Sequence, residues 1–262
     1  MFLSEYFTFD GIYSKEMYGA TIVNTGEQLP RIVGSDLSII EEESGMKKRP
    51  YYYGTKVNPI SFQLQIGFRD ENEIALKLDF KQRQEIIEWL SPFDDEYKQF
   101  SVSEDNTLIY YIKVTKFTWK EYVNGDLLTI DVRTDSGYAY SPIQNIYVNN
   151  IIETDTTIEI SNYSNVDKFY KPIVEITKYG NVGDIITITN LDLNESIQLD
   201  GSLLKDESLQ IDCDKKLIKS STGLYRYDKI TGFLRLKYGI NRIRVQGKCE
   251  INMLLQFPML LN

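Results

Sequence analysis

The carboxylates are the residues of this chain best placed to do chemistry. They cluster at Glu41, Glu42 and Glu43, at Asp94, Asp95 and Glu96, at Glu104 and Asp105, and at Asp206 and Glu207. Two carboxylates at a suitable separation are enough for glycoside hydrolysis, one as acid and one as base or nucleophile. Acid clusters also suit calcium, but no Asp-x-Asp-x-Asp-Gly loop is present. Nothing in the sequence sets two of these acids across a cleft, so adjacent acids read as solvated charge. The chain has no histidine, which removes Ser-His and Cys-His catalysis and the commonest zinc sites. Cys213 and Cys249 are its two cysteines; they lack paired zinc spacing and read as small buried hydrophobes. No glycine loop of the phosphate- or dinucleotide-binding kind appears. No catalytic, cofactor or metal residue is therefore named.

Two aromatic segments invite binding readings instead. From Glu41 to Tyr53 the chain runs through acids, then Lys47, Lys48 and Arg49, then Tyr51, Tyr52 and Tyr53. One reading is an exposed hairpin loop with solvated charges. The other is an inter-subunit arm in which Glu42, Glu43, Lys47, Lys48 and Arg49 pair with neighbours while a tyrosine anchors in a pocket. In the second half, Tyr225, Tyr227 and Tyr238 could form a stacking platform for a sugar. Against that, at least half of the set Tyr225, Tyr227, Phe233 and Tyr238 is expected in the core.

Composition favours strands as the elements that must position these residues. The 262-residue chain holds 19 Tyr and 12 Phe, and such residues suit pleated, half-buried surfaces. No apolar run of about 18 residues is present, so membrane insertion is not expected. The start at Met1 lacks a basic then apolar segment, so no secretory signal is expected. Net charge is −9, which gives no overall basic footprint for nucleic acid. Residues 1–140 hold 23 acids and 15 bases, a balance of −8, against 15 and 14 in residues 141–262.

In the first half, strand patterns run over Tyr6–Ile12, Ala20–Thr25, Leu37–Glu41, Ile60–Phe68, Leu108–Trp119 and Asp126–Thr134. The strict alternation from Ile60 to Phe68 predicts one buried and one wet face. One helix is predicted over Phe80–Leu90, with Asp79 and Gln82 as a capping box, Ile86, Ile87 and Leu90 as its apolar stripe and Pro92 as its stop. Asn124-Gly125 predicts a hairpin through positive φ. An irregular stretch, Asp135–Asn149, is read as the boundary between domains 1–137 and 138–262. Short strands follow over Thr156–Asn162, Ile173–Thr177, Asp184–Asn190, Glu195–Leu199, Leu209–Asp212, Leu217–Lys219, Arg242–Gln246 and Cys249–Phe257. Gly180, Gly183, Gly201, Gly223, Gly232, Gly239 and Gly247 lie between them, where turns need glycine. Many short strands with no helix between them predict a β-sandwich.

Phe9-Asp10-Gly11, with Ser14 shortly after, is similar to the opening of the distal tail proteins of siphophages that infect Gram-positive bacteria. Gly34-Ser35-Asp36 is similar to their Gly-Arg-Asp turn, with Ser35 in place of Arg. Tyr170–Ile176, Asp184–Asn190, Leu209–Asp212 and Gly239–Val245 resemble successive strands of their second domain, in the same order. This resemblance implies a structural virion protein of two β-sandwich domains. The first would carry a single α-helix and an extended hairpin, and the second would be galectin-like or carbohydrate-module-like. It also implies a homo-hexameric ring at the virion tail tip, assembled in the host cytoplasm. The implied partners are the major tail tube protein, a tail-associated hub protein and receptor-binding proteins, with no cofactor. DNA would pass through the lumen without specific binding, and the −8 of the first half suits such a channel. The residues alone leave two alternatives open: a carbohydrate-binding β-sandwich that contacts host glycans, and a carboxylate-pair hydrolase.

Overall fold

The computed structural model describes residues 6–23, 37–43, 49–91, 95–102, 108–152 and 155–260. These divide into two compact units, one ending at Tyr140 and taking in Leu260, the other Ser141–Met259.

In the first unit, β1 (Phe7–Phe9), β2 (Ile12–Tyr13), β3 (Thr21–Ile22), β6 (Ser61–Gly67), β7 (Lys98–Val102), β8 (Tyr110–Tyr122) and β9 (Gly125–Thr134) form one sheet. Its order is β2-β1-β7-β8-β9-β6-β3. Between β3 and β6 lie β4 (Leu37–Glu42) and β5 (Tyr51–Val57), and β10 (Ala139–Tyr140) closes the unit's strand run. Alternation decides which face of the sheet is buried. Leu64, Ile66 and Phe68 point inward while Ser61 and Gln63 stay exposed. In β8, Tyr110, Ile112 and Val114 face the core until a bulge makes Thr115 the extra residue. The bulge shifts the parity by one. Phe117 and Trp119 then pack on the same core as the even-numbered residues before them.

The helix α1 (Phe80–Leu90) is the layer facing this sheet, and its bounds are those the sequence predicts. Both halves of the capping box form: Asp79 Oδ1 accepts from Gln82 N at 2.8 Å, and Gln82 Oε1 accepts from Asp79 N at 2.9 Å. Such a cap is worth about 1 kcal/mol. The buried face differs from the predicted stripe, being Ile86, Trp89 and Leu90, with Ile87 only half-buried. Trp89 takes that place because Phe7 and Phe9 of β1 provide aromatic surfaces for its indole. Arg83 ties the helix to the sheet, since its Nη2 meets Asp126 Oδ2 at 2.8 Å and its guanidinium lies over the Trp119 ring at 5.5 Å. Pro92 lies outside the described residues.

Two turn expectations need correction. The run Tyr6–Ile12 is not one strand: Asp10 and Gly11 both take positive φ (49° and 79°) and fold β1 back onto β2. The β8-β9 hairpin forms, but neither Asn124 nor Gly125 takes positive φ. Gly125 answers to a different constraint. A Cβ there would lie 3.0 Å from the Ala75 Cβ, so the glycine permits close approach rather than a turn.

The second unit is a sandwich of two five-stranded sheets around one core. One sheet holds β11 (Gln144–Asn149), β14 (Ile173–Lys178), β17 (Ser208–Asp212), β18 (Leu217–Ser220) and β22 (Cys249–Leu255), in the order β11-β22-β14-β17-β18. The other holds β12 (Asp155–Asn162), β15 (Ile186–Asn190), β16 (Glu195–Leu199), β19 (Ile230–Thr231) and β21 (Gly239–Gln246), in the order β12-β21-β15-β16-β19. The short strands β13 (Phe169–Tyr170) and β20 (Leu236–Lys237) pair apart from both, and β23 is Pro258–Met259. Val174, Ile176, Ile188, Ile197, Ile211 and Val245 alternate inward to fill the space between the sheets.

Strand β11 falls inside the stretch read as an irregular boundary. Its polar residues misled that reading, because Asn145, Tyr147 and Asn149 point outward while Val148 is buried and Ile146 packs on the core. Not every glycine between strands serves a turn either. Gly201 has no positive φ, and a Cβ there would stand 2.5 Å from the Gly183 carbonyl oxygen. Cys213 and Cys249 are buried free thiols, and burial pushes them up to about 11 and about 12.

Candidate functional site

The β4-β5 ribbon stands apart from the core. Among the described residues no further strand pairs with it. Its register runs Leu37↔Val57, Ser38↔Lys56, Ile39↔Thr55 and Ile40↔Gly54, then shifts to Glu41↔Tyr52 and Glu42↔Tyr51. The shift makes Tyr53 the extra residue of a bulge, with Gly54 beside it at φ 142°. Tyr53 donates its hydroxyl to Glu42 Oε2 at 2.8 Å, and this bond raises its phenol above the usual range. Asn58 Nδ2 closes the base by donating to Ser38 Oγ at 2.6 Å.

Side chains alternate across a ribbon, so Leu37 and Ile39 occupy one face and Ile40 the other. All are exposed, Ile39 at 62%, as are Tyr51, Tyr52 and Tyr53, the last two at 64% and 63%. A lone two-stranded hairpin is marginal in water. Apolar and aromatic groups clustered on exposed surface mark a contact site. Of the residues expected to make an arm, Glu42, Glu43, Arg49, Tyr51, Tyr52 and Tyr53 lie on or beside this ribbon and are exposed. Lys47 and Lys48 fall outside the described residues, as does Gly34-Ser35-Asp36. The tyrosines belong to a strand rather than to a loop. The exposed aliphatic members Leu37, Ile39 and Ile40 are not among the residues the sequence suggests for an arm, although a strand pattern beside an acidic run could have drawn attention to them.

The other candidates are dispersed. Tyr225 and Tyr227 lie with ring centroids 5.1 Å apart, but no ring contact among the described residues joins Tyr238 to them. Tyr225, Tyr227 and Tyr238 are all exposed, Tyr225 at 73% and Tyr238 at 67%. Only Phe233 of that set packs on the core, which corrects the expectation that at least half would. Turns displace them: Tyr227 sits in a short helical turn and Tyr238 between β20 and β21.

The acid clusters do separate jobs. Asp95 pairs with Lys113 at 3.2 Å. Asp206 takes positive φ in a turn, while Glu207 is buried against Arg226. Asp94, Glu104 and Asp105 lie outside the described residues. Among the described residues, no three His, Cys, Asp or Glu side chains gather closely enough to hold a metal ion.

Residues 2–136 match the model of a family described as "Phage tail protein N-terminal domain", and residues 138–255 match its companion, "Phage tail C-terminal domain". The chain belongs to this phage tail family. No curated protein matches it. Among solved structures, the crystal structure of the Dit protein of phage SPP1, described as a paradigm of the hub adsorption apparatus in Gram-positive-infecting phages, aligns with a TM-score of 0.60. The alignment covers 96% of this chain and 98% of that one at 10% identity, so what is shared is the fold. The activated, calcium-containing baseplate of phage P2 aligns at a TM-score of 0.42 and 10% identity, over 87% of this chain and 89% of that one. The mainly β, two-unit architecture with one helix among the described residues of the first unit is thus a phage tail architecture of the Dit kind. Among the described residues, no helix of this tail protein is long and apolar enough to cross a membrane.

Proposed function

We propose that this phage tail protein is the distal tail adaptor: a homo-hexameric ring that joins the tail tube to the tail-tip and receptor-binding apparatus. The observation that carries this reading is the β4-β5 ribbon, which no further described strand joins and whose aliphatic and aromatic side chains are exposed. Residues 1–137 form the ring and stack on the major tail tube protein. Residues 138–262 project outward and present receptor-binding proteins, while the tail-associated hub protein occupies the opposite ring face. The role is structural rather than enzymatic, and assembly takes place in the host cytoplasm. The ribbon of one copy lies on its neighbour, with Tyr51 or Tyr52 as anchor and Glu42, Glu43, Lys47, Lys48 and Arg49 pairing around the rim. A ring needs a head-to-tail contact between two different patches, and an extended arm supplies one of them. The lumen passes DNA without holding it, which the acidic balance of the first half favours.

Substituting Ile39→Asp together with Tyr52→Asp tests the arm. Both positions are exposed, so the variant should keep the parent's far-UV circular dichroism, and any fall in its apparent stability should come only from the lost assembly. Light scattering of the parent should give the mass of six copies, and the double variant that of one. A variant that still forms six-copy particles would remove the ribbon from the interface.

A further inference from the structure

We propose that Asn124 is a site of spontaneous covalent modification, and that its conversion to isoaspartate loosens α1 from the first unit's sheet. The dipeptide Asn-Gly occurs once in the chain, at Asn124-Gly125. It lies at the tip of the β8-β9 hairpin, where Tyr122 pairs with Gly125 and Val123 and Asn124 make the turn between them. Val123 is 95% exposed and Asn124 is exposed, so water reaches the Asn124 amide. The residue after an asparagine decides whether its amide reacts. The Gly125 nitrogen attacks Asn124 Cγ, and with no Cβ on Gly125 nothing crowds that approach. The new N–Cγ bond closes a five-membered succinimide. The bond from Cγ to the side-chain nitrogen breaks, and that nitrogen leaves as ammonia with the proton that Gly125 gives up. One water then opens the ring. Opening at Cγ gives aspartate; opening at the main-chain carbonyl gives isoaspartate, whose backbone runs through Cγ and is one atom longer. Gly125 begins β9, so fraying of the last pair frees its nitrogen without unfolding the sheet.

The residues that follow the tip make the added atom matter. Asp126 N donates to the Leu76 carbonyl at 3.0 Å, and Leu78 N donates to Asp126 Oδ2 at 3.0 Å. The same carboxylate oxygen accepts from Arg83 Nη2, while Arg83 Nη1 donates to Glu121, the residue paired with Asp126. The hold of Arg83 on the sheet therefore depends on the register of Glu121 with Asp126, one pair in from the turn. A longer backbone at position 124 shifts Gly125, which has little room against Ala75, and draws Asp126 out of line with Glu121. Aspartate at the same position adds only a charge at an exposed tip, where solvent screens it, and leaves the register intact. The modification goes beyond the adaptor reading because it does not require a ring.

The test is to age the full chain in mildly alkaline buffer and follow it by peptide mass mapping, an enzymatic isoaspartate assay and thermal unfolding. The Asn124 peptide should gain one mass unit ahead of every other asparagine peptide, with isoaspartate as the main product. The earliest thermal transition of the aged protein should fall by about 4 °C. Freshly made Asn124→Asp should melt like the fresh parent, and Asn124→Gln should melt alike before and after ageing. The proposal is overturned if the Asn124 peptide keeps its mass, converts no sooner than other asparagines, or yields no isoaspartate. It is equally overturned if protein carrying isoaspartate at 124 melts like the fresh parent, or if Asn124→Gln loses as much on ageing as the parent does.

Discussion

Replacing Trp89 by alanine should cost the first unit about 3–5 kcal/mol, the range for removing a large aromatic from a packed core. The indole is the point at which α1 grips β1. It stacks on Phe7 with centroids 5.7 Å apart and planes 14° apart, and meets Phe9 edge-on at 5.9 Å. Aromatic pairs of this kind add about 0.5–1.5 kcal/mol beyond burial. Its Nε1 also donates to the Phe9 carbonyl at 3.3 Å, so truncation leaves a buried acceptor without that donor as well as a cavity. A domain is stable by only about 5–15 kcal/mol, and the loss therefore takes a large share. Urea titration followed by far-UV circular dichroism should show the earliest transition of the variant moving to much lower denaturant. Several phases are allowed for, because two units need not unfold as one. A shift equivalent to less than about 1 kcal/mol would show that α1 is held by something other than Trp89.

The second large effect lies in the sandwich, at Glu207. Its side chain is fully buried and accepts from Arg226 Nε at 2.7 Å and Nη2 at 2.8 Å, from Ser220 Oγ at 2.6 Å and from Leu204 N at 3.1 Å. Burial pushes the carboxyl upward, but the Arg226 guanidinium, the Ser220 hydroxyl and the Leu204 N–H overcome it and hold it down at about 2, against 4.5 for a free glutamate. A carboxyl depressed on folding stabilises the fold above its unfolded value, and that stability is lost as pH falls through the folded value. The contribution is thus complete above pH 4.5 and fades between 4.5 and about 2. Glu207→Gln leaves the Arg226 charge without its partner, which should cost about 3 kcal/mol at neutral pH. Melting temperatures measured from pH 7 downward should converge for parent and variant as the pH approaches the folded value. Curves that stay parallel throughout would show that the pair contributes nothing through its charge.

How much was legible in the sequence depends on whether the deciding contact is local. The α1 bounds were readable because Asp79 and Gln82 satisfy each other within one turn, and the strand from Ile60 because a period of two fixes its buried face. The helix stripe was misassigned because Ile87 and Trp89 are both apolar, and only the distant partners Phe7 and Phe9 decide between them. Strand β11 hid behind outward-pointing asparagines. The turn at Asp10-Gly11 carried the same kind of signal as Asn124-Gly125. The aromatics on either side of it read as one continuous strand, whereas at Asn124-Gly125 the hairpin forms without positive φ and the glycine answers to the close approach of Ala75. At the candidate site the sequence offers an odd run of acids, bases and tyrosines. That it is a ribbon with apolar side chains on both faces depends on the pairing of Leu37–Glu42 with Tyr51–Val57, which spacing alone does not specify.

The central claim is that six copies close into an open ring. Negative-stain electron microscopy of the purified full chain, across a concentration series up to its solubility limit, tests it most directly. The adaptor reading predicts six-fold particles with an open centre that become commoner as concentration rises. Particles of another symmetry, a closed centre, or single copies at every concentration would contradict it.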